Sequence, residues 1–249
     1  MIGSEIIHFK RVDSTSNYIA TLLKESKTVN GLVILADEQT EGRGQRGAEW
    51  QSKPCQNILC SFYIEHNDLS IDHQQNITHF VSLAILNCLK HFGLKAKIKW
   101  PNDIVIDNKK IAGILIENQF QGRKIKSSII GIGLNVLQED FEFINTTSIL
   151  KELKNEILLR TVFNQLVYSL NEQLIHLQQQ SFSVLEINYT NNLWLLNVPS
   201  EYETENGEKF IGIIKGTDSI GKIIIYREDK SRLESFGLKE IKFTKRNAL

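Results

Sequence analysis

A glycine-rich segment with two arginines is the first part of this sequence that could do chemistry. It reads Gly42-Arg-Gly-Gln-Arg-Gly47. Glycines let backbone N–H groups come close to a ligand, while Arg43 and Arg46 carry guanidinium groups that suit a carboxylate or phosphate. The segment therefore predicts an anion-binding loop, and Trp50 just beyond it could cover a planar ring. A flexible surface loop with an incidental charge pair is the alternative, because short glycine motifs often match by chance.

The same segment fits the G-x-G-x-x-G fingerprint of dinucleotide-binding proteins by letter, but its surroundings do not. That fingerprint has a physical meaning only between a strand and a helix, whose N-terminus holds the pyrophosphate. Here five polar residues, 37–41, separate the apolar run 31–36 from the first glycine. The residues after the last glycine include Pro54 and show no helical periodicity. The sequence therefore argues against a Rossmann domain.

Helices and strands must position this loop, and apolar spacing predicts where they lie. Asp13 to Ser16 predicts a helix start, because short oxygen-bearing side chains accept from the first free N–H groups. Helical spacing continues to residue 23 and recurs over 77–92 and within 148–186. Short apolar runs predict strands over 31–36, 58–64, 97–106, 110–117 and 127–136, with a turn at Asp107-Asn108. Gly131 and Gly133 indicate a close approach to the last of these strands.

From Val198 onwards the pattern of apolar and turn-forming residues in the sequence changes. Short apolar runs over 210–215, 222–227 and 238–243 alternate with turn signals such as Glu205-Asn206-Gly207. Such a pattern over about fifty residues predicts a small all-β barrel. We therefore expect two domains, residues 1–196 and 197–249.

The composition of the chain indicates which classes of binding partner are unfavourable. Lys plus Arg and Asp plus Glu both total 29, so there is no basic excess to favour a nucleic acid. Cys55, Cys60 and Cys88 follow neither a metal-ligand spacing nor an even disulfide count. Because the chain has no signal-peptide pattern and no apolar run long enough for a bilayer, we expect a soluble, cytoplasmic protein without a membrane or nucleic-acid partner.

Five motifs in order give the chain a family resemblance. They are Asp13-Ser-Thr-Ser-Asn-Tyr18, Gln39-Thr-Glu-Gly-Arg-Gly-Gln-Arg-Gly47 with Trp50, Lys99-Trp-Pro-Asn-Asp103, Lys110-Ile-Ala-Gly-Ile-Leu-Ile-Glu117 and Gly131-Ile-Gly-Leu-Asn135. Together they resemble the biotin–protein ligase family across essentially the whole chain. The resemblance implies an α+β fold: a mixed sheet with packed helices like that of class II aminoacyl-tRNA synthetases, followed by a small SH3-like β domain.

The resemblance also implies an activity and a set of site residues. The expected enzyme forms biotinyl-5′-AMP from biotin and ATP, with Mg²⁺, and transfers biotin to a lysine of a biotin carboxyl carrier protein. Lys110 and Arg43 would be catalytic. Biotin contacts are implied for Ser14, Thr15, Ser16, Gln39, Arg43, Gly44, Gln45, Lys110 and Gly113. ATP or adenylate contacts are implied for Arg46, Trp50, Lys99, Asn102, Asp103 and Asn135, and Asp103 would also hold the metal.

The sequence departs from the family pattern and leaves alternatives open. Gln45 and Ala48 stand where the family's loop often carries arginines, which predicts a weaker phosphate grip or more reliance on Arg46 and Lys99. The segment before the Ser-Thr motif is too short for the DNA-binding domain that some family members carry. We therefore do not expect regulation by direct DNA binding. A lipoate–protein ligase, whose loop typically reads Arg-Arg-x-Ser-Gly-Gly-Gly, and a non-catalytic biotin sensor are the alternatives. A monomer and a homodimer both remain possible.

Overall fold

A seven-stranded sheet is the larger of the two sheets in the computed structural model, which describes residues 1–244 except for the side chain of Arg46. Its spatial strand order is β1-β2-β3-β7-β6-β5-β4. Strands β1 and β2 are parallel, and the other neighbours are antiparallel. The strands are β1 (Glu5–Phe9), β2 (Leu32–Ala36), β3 (Asn57–Ser70), β4 (Lys97–Lys99), β5 (Asp103–Ile106), β6 (Lys109–Gln121) and β7 (Lys124–Asn135).

Helices cover both faces of this sheet. They are α1 (Thr15–Lys24), α2 (Gln75–His91), α3 (Ile149–Leu153), α4 (Leu159–Gln178) and α5 (Phe182–Asn191). Side chains alternate along a strand, and on β2 Leu32 and Ile34 pack with Ile19 of α1, whereas Val33 packs in the cluster that contains the apolar residues of α2 and α4. No helix within residues 1–244 is both long and apolar enough to span a membrane.

The predicted strand over 97–106 is wrong, because this segment is a tight hairpin. Strands β4 and β5 pair antiparallel, with Lys99 opposite Asp103. Pro101 lies in the turn after a cis peptide bond, and it has no N–H to donate to a sheet. The predicted turn at Asp107-Asn108 is confirmed, and both residues have positive φ. The edge strand β1 was not predicted.

A second, five-stranded antiparallel sheet follows the helices. It consists of β8 (Pro199–Thr204), β9 (Lys209–Thr217), β10 (Ile223–Arg227), β11 (Arg232–Phe236) and β12 (Ile241–Phe243), in the order β11-β10-β9-β8-β12. The prediction of an α+β fold that ends in a small β unit is thereby confirmed, although β8 and β11 were missed.

Hydrogen bonds and a shared hydrophobic core connect the C-terminal sheet to the rest of the described structure. Trp100 Nε1 donates to the Gly221 carbonyl at 2.9 Å, and Gln75 Nε2 donates to the Asp218 carbonyl at 2.6 Å. One hydrophobic cluster contains buried residues from both sheets. The division at residues 196 and 197 stays a prediction.

Candidate active site

A cavity of about 250 Å³ lies between the start of α1, the glycine-rich loop and strands β3, β5, β6 and β7. The structure brings most of the predicted site residues together on its walls. They are Ser14, Thr15, Ser16, Gln39, Arg43, Gly44, Gln45, Trp50, Asn102, Asp103, Lys110 and Gly113.

A cluster of hydroxyl and amide groups forms one side of the cavity. Thr15 donates to Gln39 Oε1 from both its backbone N–H, at 2.8 Å, and its hydroxyl, at 2.9 Å. The hydroxyls of Thr15 and Ser16 lie 2.7 and 2.8 Å from Ser61 Oγ. Such groups can rotate to donate to or accept from a polar ring. The predicted start of α1 is confirmed, but the predicted cap is wrong at Ser14, whose side chain makes no capping bond; Gln39 satisfies the Thr15 N–H instead.

Two cations approach the cavity from other elements, and each has a carboxylate partner. Lys110 Nζ lies 2.7 Å from Asp103 Oδ1, because the β5–β6 hairpin brings the two residues together. Arg43 pairs with Glu117 of β6. The side chains of Lys110 and Arg43 are 35% and 39% exposed, and pairs of this kind contribute little net stability. Both cations can therefore exchange their partner for the anion of a ligand.

The indole of Trp50 lies against two glycines of the sheet. A Cβ added to Gly133 would come within 2.3 Å of Trp50 Cε2, and one on Gly113 within 2.9 Å of Cζ3. A Cβ on Gly131 would meet Ser16 Oγ at 2.9 Å. The close approach predicted at Gly131 and Gly133 is thereby confirmed, and it requires residues without a side chain.

A second cavity, of about 210 Å³, adjoins the first along Trp50 and Lys110. Its other walls include Asn135, Gln138 and the segment 140–143. Asn135 Oδ1 and Trp50 Nε1 are buried without a hydrogen-bond partner. Because buried polar groups are normally paired, this acceptor and this donor are available to a ligand that can hydrogen-bond.

Two predicted residues, Lys99 and Asn135, lie away from the first cavity. Lys99 Nζ lies over the rings of Trp194 and Phe243, 5.1 and 5.7 Å from their centroids. Burial lowers the pKa of Lys99, opposed by nearby Asp103. Asn135 lines the second cavity, and the side chain of Arg46 lies outside the described part of the structure. The binding roles of these residues stay predictions.

Sequence reasoning missed other residues of the site, notably Ser61 and Glu117. Ser61 is a polar residue within the apolar run Ile58-Leu-Cys-Ser-Phe-Tyr-Ile64, and a hydroxyl at such a position needs a buried partner. That signal could have identified it. Glu117 ends a motif that was recognised, but its contact with Arg43 joins residues 74 positions apart.

A metal could be held here only with help from a ligand. No group of three or more His, Cys, Asp or Glu side chains within residues 1–244 could hold an ion. Mg²⁺, however, commonly binds through one or two carboxylates together with substrate phosphates and water. The carboxylate of Asp103 fits a Mg²⁺ that enters with a nucleotide.

Comparison with known proteins identifies the family. Residues 8–135 match the biotin/lipoate A/B protein ligase family, which is more than half of the chain. The chain therefore belongs to this family.

Individual relatives agree with this assignment. A segment is 33% identical over 144 residues to a bifunctional ligase/repressor BirA of Bacillus spizizenii, covering 57% of this chain and 44% of that protein. A biotin–[acetyl-CoA-carboxylase] ligase of Paracoccus denitrificans is 33% identical over 133 residues, covering 51% and 52%. The chain thus spans about half the length of these curated relatives.

A solved structure confirms the predicted fold. The biotin protein ligase of Aquifex aeolicus in complex with biotin and ATP superposes with a TM-score of 0.77. The match covers 97% of this chain and 100% of that one at 22% identity.

Proposed function

We propose that this protein is an ATP-dependent biotin–protein ligase that forms biotinyl-5′-AMP and transfers biotin to a lysine of a biotin carboxyl carrier domain. The observation that carries the proposal is one cavity with a hydroxyl–amide cluster on one side and Lys110 and Arg43 at its rim. Family membership supports it, as do the biotin ligase activity in the name of the Paracoccus relative and the substrates held by the Aquifex protein.

The hydroxyl–amide cluster would hold the ureido ring of biotin. That ring carries two N–H donors and a carbonyl acceptor, which complement the oxygens of Thr15, Ser16 and Gln39 and the adjacent Ser61. The valeryl chain would pass Gly113 and the apolar side chains of Ile114 and Ile132, which also line the cavity. Its carboxylate would then reach Lys110.

The first chemical step needs no protein nucleophile. An oxygen of biotin's carboxylate attacks the α-phosphorus of ATP, a P–O bond forms, and the bond to pyrophosphate breaks. Lys110 would separate from Asp103, and Arg43 from Glu117. The two cations would then stabilise the negative charge between biotin's carboxylate and the α-phosphate in the transition state, and positioning and charge stabilisation of this kind accelerate a reaction. In the second step the acceptor amine forms a C–N bond to the acyl carbon and releases a proton to water, while the C–O bond to AMP breaks and AMP leaves with its electron pair.

The nucleotide would extend from Lys110 towards the second cavity. Trp50 and Asn135 border that cavity, and their unpartnered donor and acceptor would be satisfied by the adenine. Asn102 and Asp103 would lie near the phosphates and their Mg²⁺, which enters as part of the substrate. We assign Lys99 and Arg46 to the phosphates as further sources of positive charge.

A lipoate–protein ligase is the second candidate, since the family includes both activities. The dithiolane of lipoate has no hydrogen-bond donor, so the buried hydroxyls of Thr15, Ser16 and Ser61 would gain no partner from it. A site with buried polar groups discriminates against a ligand that cannot pair them. The hydroxyl cluster therefore favours biotin.

We extend the proposal to the compartment, the partner and the oligomeric state of the enzyme. We place it in the cytoplasm, where its three cysteines, all free thiols in this structure, would stay reduced. The carrier domain is its macromolecular partner, and a membrane or nucleic-acid partner is not part of the proposal. The enzyme would act as a monomer or homodimer, with residues 1–196 as the catalytic domain and 197–249 as a smaller SH3-like domain.

Competition between the two acids tests the proposal. The protein would be incubated with MgATP, a recombinant biotin carboxyl carrier domain, and equal concentrations of biotin and lipoate, and the carrier analysed by mass spectrometry. We expect biotin alone on the target lysine. Lipoyl transfer would establish the second candidate, and biotin binding without any transfer would indicate a sensor.

A further inference from the structure

A third cavity, of about 190 Å³, lies where α2, β6 and α5 meet the C-terminal sheet. It shares Gln45, Asn102 and Ile114 with the first cavity, so the two are immediate neighbours. No step proposed above uses it. Its opposite wall is the turn 217–221, which also receives the hydrogen bonds of Gln75 and Trp100.

The chemistry of this cavity differs from that of the first. None of its lining residues in the described part of the chain is Asp, Glu, Lys or Arg. Burial lowers the pKa of His79 to about 4, so that its imidazole is neutral at neutral pH. Five carboxamide side chains line the cavity: Gln45, Gln74, Gln75, Asn102 and Asn118. The first cavity, in contrast, contains Arg43, Asp103 and Lys110.

Three buried polar atoms on these walls have no hydrogen-bond partner. They are Gln75 Oε1, His79 Nδ1 and Thr217 Oγ1. Only 3% of His79 and 9% of Thr217 is exposed, and His79 is held in place by stacking on Tyr189 with ring centroids 4.1 Å apart. Because unpaired buried polar groups are costly, their concentration around one cavity indicates a polar but uncharged occupant.

We propose that this cavity binds the neutral main chain and the side chain next to the target lysine of the acceptor protein. This inference rests on the proposed function. The acceptor's amine must enter the first cavity, so the residue beside it lies within reach of the neighbouring one. A peptide group is uncharged and offers one donor and one acceptor, which match Gln75 Oε1 and the adaptable groups of His79 and Thr217.

The size of the cavity agrees with this occupant. Its volume of about 190 Å³ corresponds to roughly six water molecules at about 30 Å³ each. That is enough space for one amino-acid residue. A charged residue beside the target lysine would be disfavoured, because the lining residues that the structure describes provide no opposite charge.

Two substitutions remove the polar atoms while keeping the shape of the side chains. Thr217→Val removes the hydroxyl, and His79→Phe removes the ring nitrogens but can still stack on Tyr189. Ser82→Ala is the matched control, because Ser82 Oγ is also buried and unpartnered on α2 but does not line the cavity. If His79→Phe does not fold, Thr217→Val alone decides.

The measurement is the steady-state KM and kcat for a carrier domain, beside the rate at which hydroxylamine traps the biotinyl group. Hydroxylamine is too small to depend on the cavity. We expect each variant to raise the carrier KM by about three- to tenfold, with a smaller effect on hydroxylamine trapping and a normal KM in Ser82→Ala. A carrier KM unchanged in Thr217→Val, or a loss as large with hydroxylamine, would overturn the inference and indicate a water-filled or structural cavity.

A carrier variant provides the reciprocal test. Replacing a neutral residue beside the target lysine with Asp should raise the carrier KM for the wild-type enzyme, and the inference is wrong if it does not. Biotin-dependent ATP–pyrophosphate exchange by the wild-type enzyme is measured in parallel. Absence of that exchange would contradict the proposed function, whereas normal exchange with an unaffected carrier KM would contradict this inference only.

Discussion

Lys110 Nζ and Asp103 Oδ1 are 2.7 Å apart at the edge of the first cavity. The hairpin of β5 and β6 fixes this distance, since its turn at residues 107–108 lies between the two residues. Both side chains are partly exposed, 35% for Lys110 and 28% for Asp103. The ion pair therefore directs the lysine towards the cavity. Because both side chains are partly exposed, separating them costs little free energy, and Lys110 can bind a substrate instead.

Replacement of Lys110 with alanine should abolish adenylate formation without unfolding the protein. A partly exposed ion pair contributes about 0–1 kcal/mol to stability, whereas a charge-stabilising group in an active site contributes about a hundredfold or more in rate. Thermal melting and biotin-dependent ATP–pyrophosphate exchange measure the two effects. Lys109→Ala, which removes an exposed neighbouring lysine, is the control. Near-normal exchange in Lys110→Ala would remove this residue from the mechanism.

A methyl group on Gly133 should destabilise the protein through Trp50. The added Cβ would lie 2.3 Å from Trp50 Cε2, so the indole must move, and overpacking of this kind costs about 1–3 kcal/mol. In a Trp50→Ala background the same substitution should cost much less. Urea unfolding of the two single variants and the double variant measures this coupling. Additive changes in the free energy of unfolding would show that the two residues do not interact.

The glycine-rich loop from Glu41 to Trp50 should become protected when biotin and ATP bind. Its internal bonds include Gly44 N to the Ala48 carbonyl and Trp50 N to the Gly42 carbonyl, and the exposed Arg43–Glu117 pair holds it weakly. An anion would add partners. Limited trypsin digestion followed by mass spectrometry reports cleavage after Arg43 and Arg46, with the exposed Arg123 as a control site. Equal loop cleavage with and without the two ligands would contradict this expectation.

The stability of the protein should fall between about pH 6.5 and pH 4 in part because of His79. Burial lowers the pKa of this imidazole from 6.5 to about 4. Within that window the unfolded chain binds a proton that the folded chain does not. The free energy of unfolding therefore decreases as the pH falls, and the stabilising contribution of the neutral His79 is fully present only above pH 6.5. The expected slope is about 1 kcal/mol per pH unit. Urea midpoints at several pH values should show a smaller slope in His79→Phe, and an identical slope would be inconsistent with a buried, neutral His79.

The parts of the fold that could be predicted are those whose signal is local. Helix α2 follows the apolar spacing of residues 77–92, and the glycines at 131 and 133 marked the place where Trp50 and Ser16 approach the sheet. Strand β1 was missed because an edge strand that is mostly exposed has no strong pattern. The break of 97–106 at Pro101 was missed because the apolar residues continue on either side of it.

Long-range contacts in the site could not be predicted from local signals. The Arg43–Glu117 pair and the hydrogen bonds of Ser61 with Thr15 and Ser16 join residues 45 to 74 positions apart. The family resemblance implied that Ser14 to Ser16, Arg43 and Lys110 belong to one site, and the structure places them around one cavity. It gave no indication that Lys99 lies under Trp194 and Phe243, because the C-terminal segment has no motif of its own.

Biotin-dependent ATP–pyrophosphate exchange by the purified wild-type protein tests the central claim most directly. It isolates the first half of the reaction and needs no knowledge of the acceptor. The account predicts rapid return of labelled pyrophosphate into ATP when biotin is present, and none with lipoate or with no acid. Exchange that depends on lipoate, or none with biotin under conditions where biotin binds, would contradict it.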